Sequence, residues 1–167
     1  MAGPMRIYLI FALLIPLLFS ACTRDEPETP EIIGKRARTA VIRGSEARES
    51  IDRLHGLEVA AQANLIAEYG EEKKDLLYIS YYEYPDSAKK GLDVMTQKIA
   101  HTRGGPFFHM VPLKQYGGNA YITLGMGATH FIFHSGHYLI WFQTSQAFGT
   151  KLPAELTELY PVKIVEG

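Results

Sequence analysis

The chain has 167 residues, a formal net charge of −1, 47% hydrophobic residues and a single cysteine. That charge balance gives no electrostatic footprint for nucleic acid, and one cysteine cannot build an internal disulfide framework. The length suits one hydrophobic core, and no internal repeat or composition break divides the chain beyond its amino end.

The amino end carries Arg6, then the apolar run IYLIFALLIPLLF, then the small residues SAC. A basic start, a short apolar stretch and a small-residue ending form the order of a secretory signal, expected over residues 1–21. The run falls short of the ~20 residues that a membrane helix needs, and Pro16 interrupts it. Leu18 to Cys22 reads LFSAC, which resembles the lipobox of bacterial lipoproteins. Ser20 and Ala21 fit that pattern, while Phe19 stands where an aliphatic residue is commoner. The resemblance implies a signal cut before Cys22 and a thiol modified with acyl chains such as palmitate. The mature chain is then anchored to a membrane without spanning it. Cys22 to Glu31, with its acidic and proline-bearing TRDEPETPE, is expected to be a flexible tether. In two-membrane bacteria an aspartate after the lipidated cysteine commonly signals inner-membrane retention. Thr23 occupies that place here, so the resemblance implies an outer-membrane protein facing the periplasm.

Residues 32–167 are read as one α+β domain. The basic GKRAR at Gly34 to Arg38 reads as linker or as a lipid headgroup contact. LEVAAQANLIAEYG places Leu57, Ala60, Ala61, Leu65 and Ile66 at helical spacing before Gly70, which predicts a helix. DLLYISYYEYP predicts a strand with Tyr78, Ser80, Tyr82 and Tyr84 on one face. Those residues could form a carbohydrate or peptide surface, although half-buried sheet tyrosines are the commoner reason for such a row. PDSAKKGLDVMTQKIAHTRGG predicts a second helix, capped by Asp86 or Ser87, with Ala88, Leu92, Met95 and Ile99 on its core stripe and Gly91 marking close packing.

Four strand-like runs follow, FFHMVPLK, NAYITLGM, THFIFH and HYLIWFQ, joined by short glycine-bearing turns. Two helices and a C-terminal β-meander predict a two-layer sandwich on a mainly antiparallel sheet, with a closing helix around Pro153 to Tyr160. YEYPDSAKKGLDVM, followed by the glycine-rich meander, is similar to a family of uncharacterised domains in exported bacterial proteins. The likeness implies a compact envelope module and supplies no activity or site residues.

The stretch from Thr129 to Gln143, THFIFHSGHYLIWFQ, holds three histidines. A Ser135-Gly136 turn would oppose His134 to His137 across a hairpin, with Cβ atoms about 5 Å apart. That pair offers two imidazole ligands for Zn²⁺ or Cu²⁺, and His130 lies about 13 Å from His134 along the strand. His109 or His101 could complete such a site from elsewhere. Alternation puts His130, Ile132, His134, His137, Leu139 and Trp141 on one face and Phe131, Phe133, Tyr138, Ile140 and Phe142 on the other. The aromatic face is expected under the helices. Ile132, Leu139 and Trp141 are therefore expected to form a partly wet surface for another envelope protein or a small ligand.

No serine lies in a GxSxG elbow, the lone cysteine is expected to be acylated, and neither GGPFFH nor LGMGA has the form of a phosphate loop. The favoured reading is a non-catalytic binding module needing no cofactor. The alternative is a metal-binding or metal-dependent hydrolytic lipoprotein that uses His130, His134 and His137.

Overall fold

The computed structural model describes residues 27–55 and 61–163. Within them lie β1 (Ile32–Ile33), β2 (Arg36–Arg43), α1 (Gly44–His55), β3 (Ala63–Tyr69), β4 (Asp75–Tyr81), α2 (Pro85–His101) and β5 (Phe107–Pro112). After a short 3₁₀ turn come β6 (Ala120–Gly125), β7 (Ala128–Ser135), β8 (Tyr138–Thr144) and α3 (Ala154–Leu159). All eight strands join one curled antiparallel sheet in the order β1-β2-β3-β4-β8-β7-β6-β5, which bears out the α+β class.

The central strands of the sheet are buried on both faces. On one face Leu65, Tyr69, Leu77, Ile79, Phe131, Phe133, Ile140 and Phe142 pack with Ile33 of β1, Ala120 of β6, and Leu152, Leu156 and Tyr160 around α3. On the other, Ile66, Tyr82, Ile132, Leu139 and Trp141 meet Ala47 and Ile51 of α1 and Ala88, Leu92 and Met95 of α2. Two covered faces explain the unbroken apolar runs in the central strands, because neither face has to present polar groups to water.

That burial also accounts for a misreading. Leu65 and Ile66 belong to β3, a strand, and not to the helix expected there. Leu65 enters one core and Ile66 the other. A short run buried on both sides lacks the alternation that distinguishes strand from helix. Leu57 and Ala60 lie outside the described residues, as do the expected signal segment, Cys22 and the first residues of the tether.

The helix of this region lies earlier, at α1, where Ala47, Ile51 and Leu54 form a sparse stripe at spacings of four and three residues. Arg36 and Arg38, expected in a linker, sit in β2. Arg36 pairs with the fully buried Asp75, and Arg38 donates to Thr29 O at 2.7 Å and pairs with Glu31. Residues 27–31 lie packed against the domain: Tyr69 Oη donates to Pro30 O at 3.0 Å, and Tyr160 Oη donates to Glu28 O at 2.7 Å.

Helix α2 matches its expected stripe, with Ala88, Leu92 and Met95 buried. Its start differs: Tyr84 holds the N-cap position without a side-chain bond, and Pro85 opens the first turn, where its missing N–H costs nothing. A Cβ on Gly91 would stand 3.1 Å from both Leu139 Cδ2 and Tyr82 Oη, which is the close approach expected of that glycine. The tyrosine row does not form a common surface. Ser80 donates to the buried Asn64 at 2.9 Å, Tyr82 is buried beneath the helices, and Tyr84 is exposed.

Asp75 ties three parts of the chain together. Besides Arg36 it accepts from Ser145 N at 3.0 Å and from Gln146 Nε2 at 2.7 Å, so β2, β4 and the segment after β8 converge on one carboxylate. Replacing it removes the acceptor for three donors and leaves Arg36 without its ion partner. Asp75→Ala is expected to lower stability by about 3–5 kcal/mol in urea unfolding. A loss below about 1 kcal/mol would contradict this role.

Candidate functional site

The histidines are best read from the register of their hairpin. Ser135 pairs with Tyr138 and His134 with Leu139, so the two turn residues are Gly136 and His137, one position later than expected. Gly136 has φ of +52°, the positive value that a two-residue hairpin turn requires at its first central position. His137 is therefore in the turn and does not oppose His134, while His130 pairs with Gln143. The pairing moves by two residues in all, an even number, and the expected division of faces survives.

The placement of those faces is reversed. Helices α1 and α2 cover the face bearing Ile132, Leu139 and Trp141, which are 0%, 4% and 2% exposed. The open binding surface expected on these three residues is absent. Phe131, Phe133, Ile140 and Phe142 instead fill the core on the opposite side.

Each hairpin histidine has a local task. His130 is fully buried; its Nδ1 accepts from Trp141 Nε1–H at 2.9 Å, so its Nε2–H donates to Gly125 O at 2.9 Å. Both ring nitrogens are thereby used, and the neutral tautomer is fixed. His134 Nε2 lies 2.9 Å from Asn119 Oδ1, and its Nδ1 is buried without a hydrogen-bond partner. His137 Nδ1–H donates to Tyr82 O at 3.0 Å, while Tyr82 N–H donates to His137 O at 2.9 Å, pinning the turn to the start of α2. His101 is tied to Gln97 O at 2.7 Å on α2, and His109, at φ +54°, lies in the irregular middle of β5. Among the described residues no three histidine, cysteine or acidic side chains form a group that could hold a metal ion.

Burial holds the His130 imidazole below its ordinary pKa, partly offset by the bond to Gly125. Burial also lowers His134, assisted by the Lys89 charge. The depressed values fix the sign of the pH dependence. Stability is full above the usual histidine value near 6.5 and is lost as pH falls below it, because the unfolded chain then binds protons that the folded one refuses.

One concavity of the described fold lies close to the buried indole. The end of α1 (Arg53, Leu54), the last turns of α2 (Met95, Lys98, Ile99) and the turn into β5 (Thr102, Gly105, Pro106, Phe107) enclose a cleft of 160 Å³ beside Trp141. Its walls are mostly apolar. Phe107 and Trp141 meet at 5.2 Å between ring centroids with planes tilted by 59°, and Phe107 also meets the edge of His130 at 5.1 Å. The turn that carries Phe107 is tight: a Cβ on Gly105 would approach Thr102 Cγ2 at 3.1 Å. Among the described residues of the lining, Arg53 and Lys98 are the charged ones and none is acidic. The Thr102 hydroxyl donates to Lys98 O at 2.6 Å.

The sequence reading placed Trp141 at a candidate site, and Met95 and Ile99 only on the core stripe of α2. Leu54, Met95 and Phe107 lie on three elements far apart in the chain, and only the crossing of α1 and α2 over the sheet joins them. Comparison with protein-family models, curated proteins and solved structures yields no match to this chain.

The His130 environment generates a direct prediction. Between pH 7.5 and 5 the unfolding free energy should fall, each buried histidine contributing at most about 1.4 kcal/mol per pH unit. His130→Gln keeps an acceptor for the indole but removes the titrating ring, so its pH slope should be shallower in urea unfolding. Identical slopes for the two proteins would contradict the assignment.

Proposed function

We propose that this chain is an acyl-anchored bacterial envelope lipoprotein whose domain is a non-catalytic binding module, with the cleft beside Trp141 as its site. The observation that carries the binding half is the lining itself. Aromatic and aliphatic walls can desolvate a ligand, and a small number of polar groups at the edge can orient it. Among the described residues the lining contains no carboxylate, histidine, serine or cysteine, and the Thr102 hydroxyl is engaged with the helix backbone. The described lining thus lacks the nucleophile and base within reach of one another that acyl-transfer or hydrolytic chemistry requires.

Support for the anchor comes from the sequence around Cys22. The packed chain has begun by Pro27, and the stretch back to Cys22 spans at most about 18 Å when fully extended. Acylation at Cys22 would consequently hold the cleft-bearing domain close to the membrane, at the outer membrane facing the periplasm in a two-membrane host. The ligand or partner envelope protein would be met there.

The anchor is tested by fractionation and mass analysis. The mature amino-terminal peptide should carry acyl chains on Cys22 and partition with membranes, and Cys22→Ser should abolish the modification and release the chain from the membrane fraction. A free thiol at Cys22 in membrane-bound protein, or unchanged partitioning of the variant, would contradict it.

A further inference from the structure

The β5–β6 end of the sheet keeps apolar side chains at the surface. There Phe108 and Val111 of β5 stand opposite Leu124 and Ile122 of β6, and the turn from β6 to β7 carries Met126. Phe108 is 55% exposed, Val111 48%, Leu124 39% and Met126 65%. We infer that this patch, separate from the cleft beside Trp141, is where a second copy of the chain docks face to face to form a two-fold dimer.

The backbone is bent to build the patch. Phe108 and Val111 are three residues apart, a spacing that plain alternation splits between faces, yet they pair with Leu124 and Ile122, which share one face. A shift in the ladder around His109, at φ +54°, absorbs the extra residue, and the buried Thr123 hydroxyl donates to Phe108 O at 2.9 Å beside it. Met126 stands at φ +51° as the first of two turn residues, a position that favours asparagine or glycine. Among the described residues, His109 and Met126 are those other than glycine with positive φ, and both border the patch. The chain thus bears left-handed strain in the turn to present a thioether that buries little within one copy.

Shape and charge select the occupant. Beside Met126 runs a groove of 330 Å³, with Phe108, Leu124, Gly127 and Thr129 in its lining. The patch therefore offers a protruding side chain next to a hollow, and a two-fold axis between copies seats each Met126 in the groove of the other. Methionine suits such a fit because its unbranched thioether adapts to irregular space. Among the described residues the groove lining is uncharged, and from Gly104 to Thr150 the sequence holds Lys114 as its single Asp, Glu, Lys or Arg. Such a surface does not repel its own copy, and it has the depleted charge and the aromatic and methionine side chains of interface cores.

Pairing through the outer edge of β5 is disfavoured, because the shifted ladder and Pro112, which has no N–H, interrupt its row of backbone donors. Contact through the faces remains. The patch also lies at the opposite end of the sheet from residues 27–31, which pack on β2 and β3 and lead toward the proposed anchor, so a lipid occupant fits less well. Four side chains exposed to this degree amount to a few hundred Å², against roughly 800 Å² per partner in a standard interface. The dimer is accordingly weak, with a dissociation constant on the order of micromolar.

The full-length protein in density-matched detergent is followed by sedimentation equilibrium over a concentration series. The native chain should pass from monomer to dimer, and Phe108→Asp should remain monomeric. Met126→Asn should weaken association about tenfold while holding or raising the midpoint of urea unfolding, since asparagine tolerates positive φ. Val94→Asn, at an exposed apolar position on α2, should dimerise like the native chain. A native chain that stays monomeric throughout would overturn the inference, and bound detergent that falls in Phe108→Asp would then mark the patch as a lipid surface. Dimers that persist in both Phe108→Asp and Met126→Asn, or that Val94→Asn disrupts equally, would place the interface elsewhere and also overturn it. Lost urea stability in Met126→Asn with association unchanged would assign that side chain to the fold of one copy, with the same consequence.

Discussion

The hydrogen bond from Trp141 to His130 is the interaction on which the rest of the site depends. Strand β8 is covered on both faces, so the indole N–H of Trp141 cannot reach water. A buried donor left unpaired costs about 1–3 kcal/mol. His130 supplies the acceptor from the neighbouring strand, and in doing so passes its own proton to Gly125 O at the next turn. The bond holds the indole upright against Phe107, which turns the end of the helical core into the wall of a cleft. Without it, the buried indole N–H would lose its His130 acceptor.

The same bond explains why a histidine-rich hairpin need not be a metal centre. Imidazole is useful in a core because it can accept at one nitrogen and donate at the other, and His130 does both. His137 closes a turn against Tyr82 O, and His134 meets Asn119. Three residues that look alike in sequence thus satisfy three separate backbone or side-chain partners. Their clustering follows from a tight hairpin between two strands of one sheet, where any residues near the turn are close in sequence and space.

Legibility followed burial. The meander from β5 to β8 and helix α2 were readable because glycine-bearing turns and a clean apolar stripe mark their limits. Strand β3 was not, since burial on both sides erases alternation and leaves an apolar run that fits a helix as well. Strand β2 was hidden by its arginines, whose charges suggest solvent although Arg36 reaches a buried carboxylate. Helix α1 offers only three apolar positions among charged ones. The division of the hairpin into two faces was legible from alternation alone. Which face lies under the helices was not, because both are apolar and only the crossing of α1 and α2 distinguishes them. The cleft inherits that difficulty: its walls come from α1, α2, β8 and the turn into β5, and no local pattern announces their meeting.

The proposed anchor and cleft would together hold a binding module close to a membrane. Other concavities lie elsewhere on the described fold: a groove of 330 Å³ beside Phe108, Leu124 and Thr129, on the opposite side of the sheet from Trp141, and one of 400 Å³ beside Arg43, Arg48 and Asn64. Solvent exchange of the Trp141 indole N–H, compared between the native protein and His130→Ala, tests the account most directly. A strongly protected N–H that exchanges much faster in the variant is the predicted result. Equal exchange in the two proteins would contradict the central place of this bond.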